Sequence, residues 1–147
     1  MDLGLRGKVV LVTGGSRGIG AAIARGLGSH GASVIINYHR NQEKADEVLA
    51  EVRKGGGDGL AIQADVRDAE AVQAMVEAAI TRFGGVDVLV NNANINFAVK
   101  PFVALSWEEI SDKLNGEMKA LYNCSQAVLR DMTKRGAGKL IFISSGL

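Results

Sequence analysis

The sequence predicts an α/β fold built on a doubly wound parallel sheet. Three observations carry that expectation: short apolar runs alternate with amphipathic stretches of helical period, glycine clusters separate them, and a glycine-spaced turn joins the first run to the first helix. Parallel neighbours need a helical crossover between them, and each amphipathic stretch is long enough to provide one.

The first strand is expected at residues 8–13, around Val9-Val10-Leu11-Val12. The helix after it carries Ile19, Ala22, Ile23 and Leu27 at the spacing of one buried face and stops near Gly31. A second strand covers residues 33–37, and a helix over 42–54 ends at Gly55-Gly56-Gly57, ahead of a third strand at 60–63. The third helix has the sharpest pattern: Val72, Met75, Val76, Ala79, Ile80 and Phe83 form one stripe, Asp68 is placed to cap its start, and Gly84-Gly85 end it. A fourth strand covers 86–90. Ser106-Trp107-Glu108-Glu109 has the S-x-x-E pattern of a capping box and opens a long helix with Ile110, Leu114, Leu121, Val128 and Met132 on related faces. Trp107 and Tyr122 are expected to pack. Asn115-Gly116 predicts a bend or local disruption, because a mid-helix glycine costs about 1 kcal/mol relative to alanine. The fifth strand follows at 139–143.

The turn after the first strand reads Thr13-Gly14-Gly15-Ser16-Arg17-Gly18-Ile19-Gly20. A helix starting here leaves its first N–H groups unpaired, and with the positive end of the helix dipole they form an anion site. Gly14 suits a turn closed to other residues, Gly18 lets a pyrophosphate approach the backbone, and Gly20 allows close packing of helix on strand. A Walker phosphate loop is excluded, since no Gly-Lys-Ser/Thr follows. Right-handed crossovers then imply strand order 3-2-1-4-5, a Rossmann-type three-layer α/β/α arrangement with its switch point between strands 1 and 4. Residues 14–20, 37–40, Asp65, 91–94 and 144–145 converge on one crevice.

Length and composition fit this reading. With 147 residues, 47% of them hydrophobic, the chain can bury one core, so residues 1–147 are expected to form a single domain. Seventeen basic and sixteen acidic side chains are spread without a basic run, which disfavours nucleic acid and membrane surfaces and favours small-molecule chemistry. No signal-peptide pattern or spanning apolar stretch is present, so a cytoplasmic location is expected. The lone Cys124 has no disulfide partner, and no Cys/His cluster has metal-ligand spacing. His30 and His39 need no catalytic role.

An acid at the end of strand 2 would bind the ribose 2′-hydroxyl of NAD and repel a 2′-phosphate. The segment instead reads Asn37-Tyr38-His39-Arg40, and Arg17 lies inside the glycine turn. Each arginine taken singly is as easily a solvated surface charge; the absent acid tips the reading to NADP(H).

Taken together, Thr13-Gly14-x-x-x-Gly18-x-Gly20, Asp65, Asn91-Asn92-Ala93, Asn115 and Ile143-Ser144-Ser145 make the chain resemble the short-chain dehydrogenase/reductase family, and most closely its 3-oxoacyl-carrier-protein reductase branch. The resemblance implies hydride transfer between a nicotinamide and a carbonyl or hydroxyl substrate, with a 3-oxoacyl thioester as one candidate, and a homo-oligomer in complete form. It implies cofactor contacts from Thr13, Gly14, Ser16, Arg17, Gly18, Ile19, Gly20, Asn37 and Arg40. Asp65 would bind the adenine with a backbone contact from Val66 beside it, a role favoured over that of a carboxylate that simply solvates a turn. Asn91 would brace the strands and Ala93 would line the ribose side. Asn115 would hold a relay water, and Ser145 would bind the substrate carbonyl. Asn94 stands where the family usually has glycine, and asparagine tolerates left-handed dihedrals best among the other residues.

The family's Tyr-x-x-x-Lys pair is not in these residues. The only tyrosines are Tyr38 and Tyr122, with Gln42 and Gln126 four positions on. Residues 1–147 are therefore expected to be the N-terminal part of a longer domain, inactive alone. The alternative is a binding module that pairs with another subunit. Either way, strand 5 and the long helix would expose surfaces that need a neighbour.

Overall fold

A computed structural model describes residues 1–144; the expectation placed on Ser145 lies outside them. Five parallel strands form one sheet in the order β3-β2-β1-β4-β5: β1 Val9–Val12, β2 Ser33–Tyr38, β3 Asp58–Gln63, β4 Val88–Asn91 and β5 Lys139–Phe142. The crossovers contain α1 Gly18–Ser29, α2 Gln42–Lys54, α3 Ala69–Phe83 and α4 Trp107–Arg135. The predicted fold class and strand order are therefore observed.

Alternation along the strands divides the core. Leu11, Ile35 and Leu89 face α3 and α4, where they meet Val72, Met75 and Val128. Val10, Val12, Val34 and Ile36 face α1 and α2. Burying each such side chain contributes about 1.5–3 kcal/mol, and a one-residue slip in register would exchange the two faces.

Several details depart from the expected pattern. On α1 the buried positions are Gly20, Ala21, Ala24 and Gly28, whereas Ile19 and Ala22 are exposed and Ile23 and Leu27 only half-buried. The reason is close approach: a Cβ at Gly28 would lie 2.8 Å from Val52 Cγ1, so the contact face is the small one. The third strand starts two residues earlier, at Asp58, because Asp58 and Gly59 pair with Ser33 and Val34; a Cβ on Gly59 would lie 2.1 Å from the Val34 carbonyl oxygen. The fourth starts later, since side chains substitute for its first ladder bonds: Asp131 accepts from the Val86 N–H and Asp87 from the Val9 N–H. The fifth ends at Phe142.

The capping box of α4 is complete, and the helix runs uninterrupted through Asn115-Gly116. Gly116 serves a contact there, because its missing Cβ leaves room for Ile95, 3.2 Å away. Trp107 and Tyr122 do not pack. They are 76% and 61% exposed and, with Leu114, Met118 and Leu129, recur at helical spacing on the side of α4 turned from the sheet. The edge strand β5 also exposes Ile141 and Phe142. No helix among the described residues is long and apolar enough to cross a membrane, and among them no group of three His, Cys, Asp or Glu could hold a metal.

Candidate functional site: a basic cleft over the glycine turn

The turn after β1 is held from both sides. On the β2 side, Asn37 Oδ1 accepts from the Gly14 N–H at 3.1 Å and its carbonyl from the Gly15 N–H at 2.8 Å, while Asn37 Nδ2 donates to the Ala64 carbonyl at 3.1 Å. On the β4 side, Asn92 Nδ2 donates to the carbonyls of Thr13 and Gly14 at 3.1 and 3.2 Å. Thr13 Oγ1 accepts from the N–H groups of Asn92 and Ala93, both at 2.9 Å, and donates weakly to the Val90 carbonyl. Backbone that would otherwise be unsatisfied is thus paired by three buried or half-buried side chains.

Gly14 and Gly18 have φ of +60° and +54°, the left-handed region that glycine enters without strain. A Cβ at Gly18 would meet nothing within 4 Å, which leaves the backbone open to a ligand. Gly20 is needed for a different contact from the one expected: its Cβ would lie 2.3 Å from the Gly14 carbonyl oxygen and 2.5 Å from Asn92 Nδ2, so the constraint comes from the turn itself.

Helix capping singles out α1. Asn41 caps α2, Asp68 caps α3 and Ser106 caps α4, each accepting first-turn N–H groups on a side-chain oxygen. The N-cap of α1 is Arg17, which supplies no acceptor, and its first turn contains no acid. Its N–H groups and dipole are left for an anion from outside.

They open on a cleft of about 750 Å³. Gly14, Ser16, Arg17, Gly18 and Ile19 line one side, and Asn37, Arg40, Asp65, Val66 and Ala93 the others. Arg17, Arg40 and Lys44 have no ion-pair partner among the described residues. Among the described residues, the one acid lining the cleft is Asp65. Side-chain hydrogen bonds from Arg67, with a backbone bond from the same residue, hold its carboxyl at about 2, and His39 Nε2 lies 3.7 Å away. The cleft therefore presents a net positive face.

Four predicted site residues are not on this cleft. Thr13 and Asn91 line a separate cavity of about 90 Å³ between the strand ends and α4, with Glu117, Cys124 and Phe142. Gly20 lies beneath the turn, and Asn115 is exposed on α4 and lines neither cavity. Val66 touches both cavities, and its carbonyl is taken up by buried Asn123 at 3.1 Å. Burial pushes the Cys124 thiol up to about 12, which keeps it neutral and unreactive. Asn94 is not left-handed, since no described non-glycine residue has positive φ; its Oδ1 instead accepts from Lys113 at 2.5 Å.

Asn92, Lys44 and Arg67 also belong to the site, and sequence reasoning gave them no role. Lys44 carried a signal: a cation in the first turn of a helix opposes the dipole unless an anion lies near.

A family model for short chain dehydrogenases matches residues 8–147. The chain belongs to the short-chain dehydrogenase family. The chain is 40% identical to a 3-oxoacyl-[acyl-carrier-protein] reductase of Staphylococcus aureus over 94% of its own length and 56% of that protein's. A short chain dehydrogenase from Burkholderia cenocepacia, solved in complex with NADP, superposes with a TM-score of 0.83 at 41% identity, over 96% of this chain and 56% of the other. NAD+-bound xylitol dehydrogenase gives 0.88 at 29% identity, over 96% and 54%. The chain thus spans about half the length of the relatives it matches.

Proposed function

We propose that residues 1–147 form one NADP(H)-binding domain of a short-chain oxidoreductase that moves a hydride between the nicotinamide and a carbonyl or hydroxyl substrate, with a 3-oxoacyl thioester as the first substrate class to try. The observation that carries this is the uncapped start of α1, opening on a cleft where, among the described residues, Arg17, Arg40 and Lys44 have no ion-pair partner and the single acid, Asp65, is already paired. The likeness to an NADP complex and to a 3-oxoacyl-carrier-protein reductase supports the same reading.

Bound there, the cofactor would give or take the hydride. The first-turn N–H groups of α1 and Gly18 receive the pyrophosphate, Arg17 and Arg40 the 2′-phosphate, and Asp65 with the Val66 backbone the adenine edge. Ser16, Ile19 and Ala93 line the path, while Thr13, Gly20, Asn37 and Asn91 hold its walls. In the complete protein we assign carbonyl binding to Ser145 and a relay water to Asn115. The exposed stripe of α4 and the β5 edge favour a homo-oligomer.

The test is a titration followed by NADPH fluorescence, with NADH alongside. NADPH is expected to bind at least tenfold tighter, and Arg17→Ala with Arg40→Ala to abolish the difference. Equal affinity for the two dinucleotides would overturn the assignment.

A further inference from the structure

The 92–106 segment, whose residues 92–96 line the cleft, has no strand and only a single turn of helix at Phe102–Ala104 to order it. Three residues of α4 hold its start. Glu117 Oε1 accepts from the Ile95 N–H at 3.0 Å. The Lys113 ammonium donates to the Ile95 carbonyl, to Asn94 Oδ1 at 2.5 Å and to Glu117 Oε1 at 2.6 Å. All three of its donors are engaged, and both backbone groups of Ile95 are paired by side chains. Gly116, between them, leaves the space that the Ile95 side chain enters. Positions 113, 116 and 117 lie on one helix face by the i, i+3, i+4 rule. Ile95 and Asn94 line the cleft, and Glu117 lines the small cavity behind it.

We propose that Lys113, Gly116 and Glu117 form a socket that fixes Asn94 and Ile95 and thereby preorganises the wall of the dinucleotide cleft, which makes Lys113 and Glu117 positioning residues for the cofactor. The inference rests on the cleft being the dinucleotide site. Exposed ion pairs contribute little, but Lys113 and Glu117 are 23% and 34% exposed and shared with backbone groups, so their loss frees the segment. Binding must then reorder it, and fixing the backbone of one residue corresponds to roughly a tenfold loss of affinity.

The experiment uses the 147-residue chain with three substitutions, Lys113→Met, Glu117→Ala and Lys113→Arg, and Lys134→Met as a control on the same helix. NADPH affinity, the urea midpoint and hydrogen exchange at the Ile95 amide are measured for each. Lys113→Met and Glu117→Ala are expected to weaken NADPH about tenfold and speed exchange at Ile95, with the unfolding midpoint nearly unchanged. Lys113→Arg should recover part of the affinity, and Lys134→Met should match the parent. Unchanged affinity in the first two overturns the inference, as does a fall in affinity matched by an equal fall in global stability. A parent chain that binds no NADPH refutes the proposed function instead; in that case an Ile95 amide exchanging as fast as an unbonded one overturns the socket as well.

Discussion

Replacing Thr13 by valine separates a brace from a ligand contact. The two side chains are nearly the same size, and Thr13 is 1% exposed, so the substitution removes the hydroxyl while leaving the packing in place. That hydroxyl accepts from the N–H groups of Asn92 and Ala93, and its own proton goes to the Val90 carbonyl at 3.4 Å. The Val90 oxygen keeps the Thr13 N–H at 3.1 Å, so only the two amides become orphans. Leaving a buried donor unpaired costs about 1–3 kcal/mol; with both residues half-buried, a sum of about 2–4 kcal/mol is expected. With a urea m-value of about 2 kcal/mol/M, the midpoint should fall by roughly 1–2 M. Thr13→Ser keeps the hydroxyl and should lose less than about 1 kcal/mol, the scale of one methyl group. The assay is urea unfolding followed by circular dichroism, with NADPH titration on the folded variants. A Thr13→Val midpoint equal to that of the parent would refute the account of Thr13 as the link between β1 and the segment after β4.

Gly20→Ala places a methyl against the Gly14 carbonyl, which cannot move without deforming the turn; a loss of about 1–3 kcal/mol in stability and of more than tenfold in NADPH affinity is expected, and binding at parental strength would show that the turn adapts. The Asp65 carboxyl is held at about 2, below its ordinary 3.8, mainly by Arg67, so its contribution is complete above pH 4 and disappears as pH falls through 2. Because the side chain is 33% exposed, screening reduces this to about 1 kcal/mol, which urea midpoints measured between pH 5 and 2 should show as the extra loss of the parent over Asp65→Asn, since other paired carboxylates titrate in both. The 147 residues alone should bind NADPH without oxidising it in the presence of ketones: Tyr38 is buried, Tyr122 is followed at the fourth position by Gln126, and neither has a lysine there. Absorbance at the nicotinamide band, constant over hours, is the expected record, and steady turnover would contradict it.

The strand order was legible because each apolar run is flanked by stops and because a phosphate-type turn after the first strand fixes where the sheet reverses. Boundaries were less legible wherever a side chain stands in for backbone. Asp87 and Asp131 bond the start of β4, and no periodicity reports such a bond across 78 or 45 residues. The buried face of α1 was misread for a related reason. Hydropathy weights Ile19 and Leu27 above Gly28, yet helix and neighbour meet where the side chain is smallest, and that depends on distance rather than transfer free energy.

In the site, residue type announced the chemistry but not the direction in which each group points. Arg17 and Arg40 face the cleft as expected, while Thr13 and Asn37, drawn from the same motif segments, turn their polar atoms into the protein. The difference follows from what the turn needs. A chain that reverses after a buried strand presents several N–H groups and carbonyls with no ladder to receive them, and only short polar side chains close by can satisfy these in place. Once Thr13, Asn37 and Asn92 have done so, the start of α1 is left without a side-chain cap, and among the described residues Arg17, Arg40 and Lys44 on the cleft have no ion-pair partner. The asparagines and the threonine thus decide which donors are left for a ligand, although they donate nothing to it, and a substitution among them should change NADPH affinity through the shape of the turn rather than through a lost contact.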